Sequence, residues 1–293
     1  MTERLEGKPV AESIDSQTRS AASRGPPPSL VSVHRAAESP FQFYLRRQAR
    51  AAASVGVVFR DEALGPADGP SELSARLAAL DRDPKVHAVL LEHPLPPPFD
   101  FAAAIGRLSP EKDVDGVGAT NLGRLVSQHR THVPAVASAA IAIARHYRLP
   151  IEGERVAVVG RSETVGLPLA LCLAGREGGT NSTVTVVHSR TRDLAKALAD
   201  ARTIFSCAGR PGLLNREVVP RGAYVVDVGL SSVADPAVKG GARAVGDADP
   251  TSLDGWAAGV TPVPGGVGPV TVSELMASAT RARDLVLARG GSS

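Results

Sequence analysis

The sequence predicts a protein of two α/β domains facing each other across a cleft, and three observations predict it. Short, almost wholly apolar runs alternate with helical stretches: SLVSVHR (29–35), VGVVFR (55–60) and HAVLLEH (87–93), then RVAVVG (155–160), TVTVVHS (183–189), RTIFSCAG (202–209) and AYVVDVG (223–229). Near-continuous apolar strands belong to parallel sheets covered by helices on both faces. The run ending at Gly160 passes through a glycine-bearing loop straight into a helix, the turn that opens a Rossmann-type unit. A chain of 293 residues is also long enough for two cores of ordinary size.

Each element follows in order. Residues 9–24 are helical and end at RGPPPS, a Gly/Pro breaker. SLVSVHR is then a strand. The Ala/Arg-rich stretch from Pro40 to Ser54 is helical, and on it Tyr44 and Gln48, four residues apart, share a face. VGVVFR is the next strand, SELSARLAALDRD (71–83) a helix, and HAVLLEH a strand that PLPPP (94–98) stops at its carboxyl end. In open α/β sheets that edge is where ligands bind. PAVASAAIAIARHYRLP (134–150) is helical and leads into the second series, in which LAKALAD (194–200) is a helix. The terminal helix TVSELMASATRARDLVLARG (271–290) follows the loop TPVPGGVGP.

Composition narrows the classes of function. With 43% hydrophobic and 22% charged residues the chain reads as a soluble folded protein, and with 3% aromatics its core is built from Ala, Val and Leu. The net charge of +3 is spread along the chain. Arg46, Arg47 and Arg50 have no stacking aromatics interleaved with them, so no nucleic-acid partner is expected. Cys172 and Cys207 lie in apolar strings and read as core thiols, and no Cys/His cluster has metal-ligand spacing, so no metal is expected. There is neither a signal-peptide run of roughly 7–15 apolar residues nor a membrane span of about 18. A cytoplasmic protein without a membrane partner is the expectation.

The loop GRSETVG keeps a first glycine at Gly160 and a late one at Gly166, with Ser162 where the common fingerprint has its second glycine. A strand passing straight into a helix offers backbone N–H groups to a phosphate. The next strand ends at His188, Ser189 and Arg190, where an acidic residue would hold the ribose hydroxyls of NAD. A hydroxyl and a guanidinium there, with Arg161 in the first loop, suit a 2′-phosphate, so NADP is the expected cofactor. The plainer reading of Arg190 is a solvated charge after a strand.

With these residues in view, the chain resembles the bifunctional methylenetetrahydrofolate dehydrogenase/cyclohydrolase family. The resemblance runs from LEGKPVAESI at the start to the terminal helix. Its most specific pieces are SPEKDVDGVGATNLGRL (109–125), VAVVGRSETVGLPLA (156–170) and TPVPGGVGPVTVSEL (261–275), with shorter echoes in PLP (94–96), HSRT (188–191), AYVVDVG (223–229) and VGDAD (245–249). It implies a folate-binding catalytic domain over 1–146 and 270–293, an NAD(P)-binding domain over 147–269, a tetrahydrofolate derivative as substrate, and a homodimer. It also implies cofactor contacts from Gly160, Arg161, Ser162, Val165, Gly166, His188, Ser189, Arg190, Gly209 and Gly229. Substrate contacts are implied for Glu92, Pro94, Asp115, Gly265, Gly266 and Pro269. The glycines of PVPGGVGP, Gly268 included, are expected to let backbone approach the cofactor and the hinge.

The departures from the family pattern carry as much information. Tyr44 falls on the family tyrosine, but the lysine four residues later, which the family uses for proton transfer, is here Gln48. The family glutamine before its Leu-Pro-Leu-Pro falls on Glu92, which could pair with Arg47 or recognise an amine, and Pro-Cys-Thr-Pro is here PAVA (134–137). Asp115 falls on the pterin-recognising aspartate, although DVDG alone also reads as a turn cap, and Asp113 is expected to support the loop. A carboxamide cannot act as general acid or base. The expectation is therefore an NADP-dependent 5,10-methylenetetrahydrofolate dehydrogenase with weak or absent cyclohydrolase activity, its catalytic residues Tyr44, Gln48 and Asp115. A family-derived oxidoreductase acting on another substrate and a non-catalytic folate- or nucleotide-binding protein stay open.

Overall fold

The computed structural model describes residues 1–35, 39–129, 131–176, 180–235 and 241–290. The chain forms two compact units, Met1–Ala11 with Val136–Thr271, and Glu12–Ala135 with Val272–Ser293. The expected division placed 1–11, 136–146 and 270–271 with the first domain; by Cα proximity they cluster with the other unit.

The unit formed by Glu12–Ala135 and Val272–Ser293 is built on a three-stranded parallel sheet. The elements in chain order up to its last strand are β1 (Glu3–Arg4), α1 (Lys8–Ala22), β2 (Ser29–Arg35), α2 (Ser39–Val55), β3 (Val58–Leu64), α3 (Pro70–Arg82) and β4 (Ala88–Leu91). The sheet order is β3-β2-β4. Helices α4 (Phe101–Ile105), α5 (Ala119–Val126) and α6 (Ala135–His146) follow. Successive residues of a strand point to opposite faces. Val31, Val33, Val89 and Leu91 therefore pack with Leu73, Leu77 and Leu80 of α3, while Leu30, Ala88 and Leu90 pack with Ala52 and Val55 of α2. Met276 and Ala279 of the terminal helix join that second cluster.

The strand expected at VGVVFR lies three residues later. Gly56, at φ +80°, ends α2 just past Val55, and the Val57 N–H returns to Ala52 O at 2.9 Å, as helix-terminating glycines commonly allow. β3 then runs through Arg60, Asp61 and Glu62 and is an edge strand with charged side chains, which discourages pairing with another chain.

The other unit carries β5 (Arg155–Val159), α7 (Gly166–Ala174), β6 (Thr183–Val187), α8 (Leu194–Leu198), β7 (Thr203–Ser206) and β8 (Tyr224–Asp227). It continues with β9 (Ser231–Ala234), β10 (Ala242–Val245), α9 (Pro250–Leu253), β11 (Gly259–Val260) and α10 (Val267–Gly290), the last reaching into the first-described unit. Its six-stranded sheet, order β1-β11-β8-β7-β5-β6, is parallel at every pairing. β9 and β10 form a separate antiparallel pair. From β5 the chain goes to β6 on one side and then to β7 on the other, so the order reverses between β5 and β7. In doubly wound sheets the ligand crevice opens at such a point, outside the carboxyl ends of the strands.

Candidate active site

On β2 and just past the end of β4 the period-two alternation that buries Leu30 and Leu90 under α2 carries two polar residues onto the same face, Ser32 and Glu92. Ser32 is fully buried and Glu92 is 8% exposed. Over them lies α2, whose buried positions Leu45, Gln48, Ala52 and Val55 recur at helical spacing with Gln48 as the polar member. Gln48 is fully buried, and its Nε2 donates to Glu92 Oε1 at 2.8 Å. The Ser32 hydroxyl donates to the same oxygen at 2.9 Å. Arg47, the pairing partner considered for Glu92, makes no ion pair with it among the described residues. Gln48 Oε1 is buried with no hydrogen-bond partner within 3.5 Å.

Tyr44, half-buried one turn before Gln48, completes the helix side of the site. Burial first, then the charge of Glu92, push its phenol far above the usual tyrosine value, while the Gln48 side chain opposes the shift. Burial also raises Glu92, against the bonds from Gln48 and Ser32 and the charge of His34. The segment 112–115 runs beside β4, with Val89 N donating to Lys112 O at 2.8 Å, and this brings Asp115 into the same charge field. Among the described residues the Asp115 side chain accepts no bond from the turn that follows it; its Oδ1 accepts from Ala135 N at 3.2 Å, at the start of α6. Burial, then the neighbouring charge of Asp113, push Asp115 up to about 7. Asp113 supports the loop itself, accepting from Gly116 N, Gly118 N and Asn121 Nδ2 at 3.1, 2.8 and 2.9 Å. Pro94 lies exposed just beyond Glu92.

In the unit of the six-stranded sheet, Gly160 follows β5 at φ +122°, and a Cβ there would lie 2.6 Å from Cys207 O at the end of β7. Only glycine fits such a crossing. Gly166 starts α7 against the backbone of Gly160. Ser162 Oγ accepts from Gly166 N at 3.2 Å, Val165 is the residue before the helix, and Arg161 is exposed. After β6, His188 N donates to Thr191 Oγ1 at 3.0 Å and Arg190 N to His188 Nδ1 at 3.2 Å, a tight turn that leaves Ser189 and Arg190 exposed. Among the described residues neither Arg161 nor Arg190 forms an ion pair. A positive-φ glycine, a helix start and two uncommitted guanidinium groups at one sheet edge fit a phosphorylated dinucleotide.

Two aspartates that the sequence reading did not single out hold this edge in shape. Asp247 accepts from Ser206 Oγ, Ala208 N and Arg210 N at 2.7, 2.8 and 2.6 Å, and so fixes the loop containing Gly209. Asp227 accepts from Gly229 N and Ala248 N at 2.9 and 2.8 Å, and burial pushes it up to about 6. A Cβ on Gly229 would collide with the Asp247 carboxylate. Leu230, 74% exposed just past β8, is an apolar side chain at the same edge that was also not singled out. A cavity of about 330 Å³ opens beside Asp227, Asp249 and Thr261.

The glycines of PVPGGVGP divide. Gly265, at φ +111°, accepts from Gly7 N at 2.8 Å, and a Cβ on Gly7 would strike Gly266 O. The close approach is thus to the chain's own N-terminal loop. Gly268 has open space around it inside α10, which begins at Val267 and takes up the half-buried Pro269 in its first turn.

The profile described as tetrahydrofolate dehydrogenase/cyclohydrolase, catalytic domain, matches residues 5–115, and that described as tetrahydrofolate dehydrogenase/cyclohydrolase, NAD(P)-binding domain, matches 134–285. The chain belongs to the tetrahydrofolate dehydrogenase/cyclohydrolase family. Within that family it is 38% identical over 280 residues to the bifunctional protein FolD 1 of Rhodococcus jostii, covering 94% of this chain and 91% of that one. The methylenetetrahydrofolate dehydrogenase-cyclohydrolase of Trypanosoma brucei, solved with NADP and an inhibitor, superposes with a TM-score of 0.90 at 34% identity over 98% of both chains. The bifunctional enzyme of Thermoplasma acidophilum gives 0.89 at 30% identity, covering 98% of this chain and 100% of that one. The elements around Gly160 and Arg190 therefore belong to the NAD(P)-binding domain of a family enzyme, and the cluster around Gln48 to its catalytic domain. Among the described residues no helix is long and apolar enough to cross a membrane, and no group of three or more His, Cys, Asp or Glu could hold a metal ion.

Proposed function

We propose that this family member is an NADP-dependent 5,10-methylenetetrahydrofolate dehydrogenase that has largely lost the cyclohydrolase step. The observation carrying the proposal is Gln48, a fully buried carboxamide bonded to Glu92 where the family resemblance implies a proton-transferring lysine. NADP, when bound, supplies the acceptor for a hydride. The chain's own part in that step is to orient the donor carbon, because hydride transfer asks chiefly for close, aligned reactants. Asp115 anchors the pterin edge through its carboxylate, which suits adjacent N–H donors, and Tyr44 orients the ring from α2. Arg190 and Arg161 receive the 2′-phosphate.

Hydration and ring opening of the methenyl bridge need a group that takes and returns protons near neutral pH. Gln48 has no such proton, and Tyr44 holds its own too tightly. Asp115 is in range when free, but pterin N–H donors hold it ionised and occupy its oxygens. Losing one such group lowers a rate by roughly 10²–10⁴-fold.

The experiment follows both steps in one cuvette with 5,10-methylenetetrahydrofolate and NADP. NADPH is expected to form promptly, and the methenyl product to accumulate and decay no faster than in buffer. Enzymatic decay of that product overturns the loss of hydrolysis, and absence of NADPH overturns the dehydrogenase reading. The homodimer that the family resemblance implies is checked on the same sample by sedimentation.

A further inference from the structure

Glu92 is a buried carboxyl whose hydrogen-bond partners, Ser32 Oγ and Gln48 Nε2, are both neutral and both donate to Oε1. Buried carboxylates are ordinarily paired with a cation, since neutral donors offset only part of the desolvation. Among the described residues no ion pair reaches Glu92. His34, next on the same strand face, turns Nε2 toward Asp61 at 3.4 Å and Nδ1 toward Arg35 O at 3.1 Å. One helical turn from Tyr44, whose phenol interacts with the Gln48 side chain, the site also holds Gln48 Oε1, fully buried and with no hydrogen bond of 3.5 Å or less. Asp115 adds a further acidic group to the same field. The polar end of the cluster is thus rich in acceptors. His34 and Arg47 act on it only through charge at a distance, and among the described residues no cation forms an ion pair with Glu92, so a ligand that brings its own cation fits there.

We propose that Glu92 is a specificity-determining residue that supplies the countercharge for the positive one-carbon bridge of the folate, held in place by Gln48 and Ser32. This rests on the dehydrogenase reading above. In that reaction the carbon between two nitrogens loses a hydride, with its bonding pair, to the nicotinamide ring of NADP. A nitrogen lone pair then closes a C=N bond, and one positive charge is shared by the two nitrogens. No proton moves. The substrate bridge is neutral and the product bridge cationic, so an anion fixed nearby favours the product-like transition state over the ground state. The substitution that removes a proton carrier at position 48 also removes a cation that would have neutralised Glu92.

The test compares wild type with Glu92→Gln, which keeps the shape and can still accept from Ser32 and Gln48, and with Gln48→Lys, which supplies the missing cation from the protein. Without NADP, the affinities of each for 5,10-methenyltetrahydrofolate, cationic at the bridge, and for tetrahydrofolate, neutral there, are measured by rapid-mixing titration, read before a lysine at position 48 can open the bridge. Both variants are expected to lose about ten- to a hundredfold in affinity for the cation, the scale of one charge at close range, and to stay within about twofold for tetrahydrofolate. With NADP, kcat of Glu92→Gln falls while KM changes little, the pattern of an interaction made only in the transition state. Equal weakening of both ligands, or an unchanged preference for the cation in either folded variant, overturns the assignment. If wild type makes no NADPH, the dehydrogenase reading fails first. If it makes NADPH and the variants keep the preference, the inference alone fails. A Glu92→Gln chain that does not fold leaves Gln48→Lys to decide.

Discussion

At the scale of the residue, charge decides the two assignments that can be tested independently. Arg190 is exposed beside the turn after β6, and the role proposed for it is to receive a phosphate that NAD lacks. Arg190→Ala is expected to weaken NADP by about 1–3 kcal/mol, the worth of a charged hydrogen bond, and NAD hardly at all. KM for the two cofactors measures it, and equal losses would refute the specificity. Asp115 is raised from its ordinary 3.8 to about 7, so the folded chain keeps a proton that the unfolded chain has released. Below about pH 4 both forms are protonated and nothing is lost. Between about 4 and 7 stability falls as pH rises, and above 7 the full penalty remains. Asp115→Asn, which can still accept from Ala135 N, should therefore raise stability at pH 8 by on the order of 1–3 kcal/mol and leave it unchanged at pH 4. Urea titrations at the two pH values read the difference, and an equal effect at both would remove Asp115 as the cause. That Tyr44, Gln48, Glu92 and Asp115 come together in one cluster was legible because rare strings framed them. Ser32 was not, although a serine on alternate positions with Leu30 in an apolar strand was the available signal. Asp247 escaped because its partners, Ser206, Ala208 and Arg210, lie about forty residues away in sequence.

At the scale of the element, helices with regular apolar spacing were readable to within a few residues, as α3 and α6 illustrate, because periodicity is a property of the local string. The ends were not, because they depend on caps. VGV was read as strand, yet the positive φ of Gly56 makes it the end of α2, and PGGVGP was read as loop although α10 begins inside it. Lys112 shows how remote such a cap can be. Its Nζ donates to the carbonyls of Leu80, Asp81 and Asp83 at 3.1, 2.7 and 2.8 Å, closing the carboxyl end of α3 from a segment about thirty residues on. Terminal carbonyls of a helix have no partner within it. Lys112→Met keeps the buried stem and strands those carbonyls, so a loss of about 2–4 kcal/mol is expected. Urea unfolding measures it through a lower midpoint at unchanged slope, and a change below about 0.5 kcal/mol, the scale of a surface substitution, would show the cap to be idle.

At the scale of the whole molecule, the chain's first residues, Met1–Ala11, cluster with Val136–Thr271 and not with the Glu12–Ala135 segment that follows them. β1 pairs with β11 at the edge of the six-stranded sheet, Leu5 is fully buried, and Gly7 N donates to Gly265 O. No local pattern marks a two-residue strand whose partner lies more than 250 residues away, and a resemblance that assigns whole segments to domains does not expose it either. Stability should follow the contacts and not the order in sequence. Removing residues 1–5 takes away the bonds Glu3 N to Ala258 O and Leu5 N to Val260 O, at 2.9 and 3.0 Å, and opens the site of one large apolar side chain. Burial of a leucine is worth about 1.5–3 kcal/mol, so the truncated protein should lose about that much, and lose it in the unit of Val136–Thr271. Amide hydrogen exchange resolves where. Faster exchange is expected in β11 and β8, which carry the edge toward Asp227, while β2 and β4 keep their protection. NADP affinity should fall with it, since Gly229 hangs from Asp227 at the end of β8. If protection is lost instead in β2, β3 and β4, the N-terminal segment supports the folate-side unit in solution, and the division into units is wrong at its first residues.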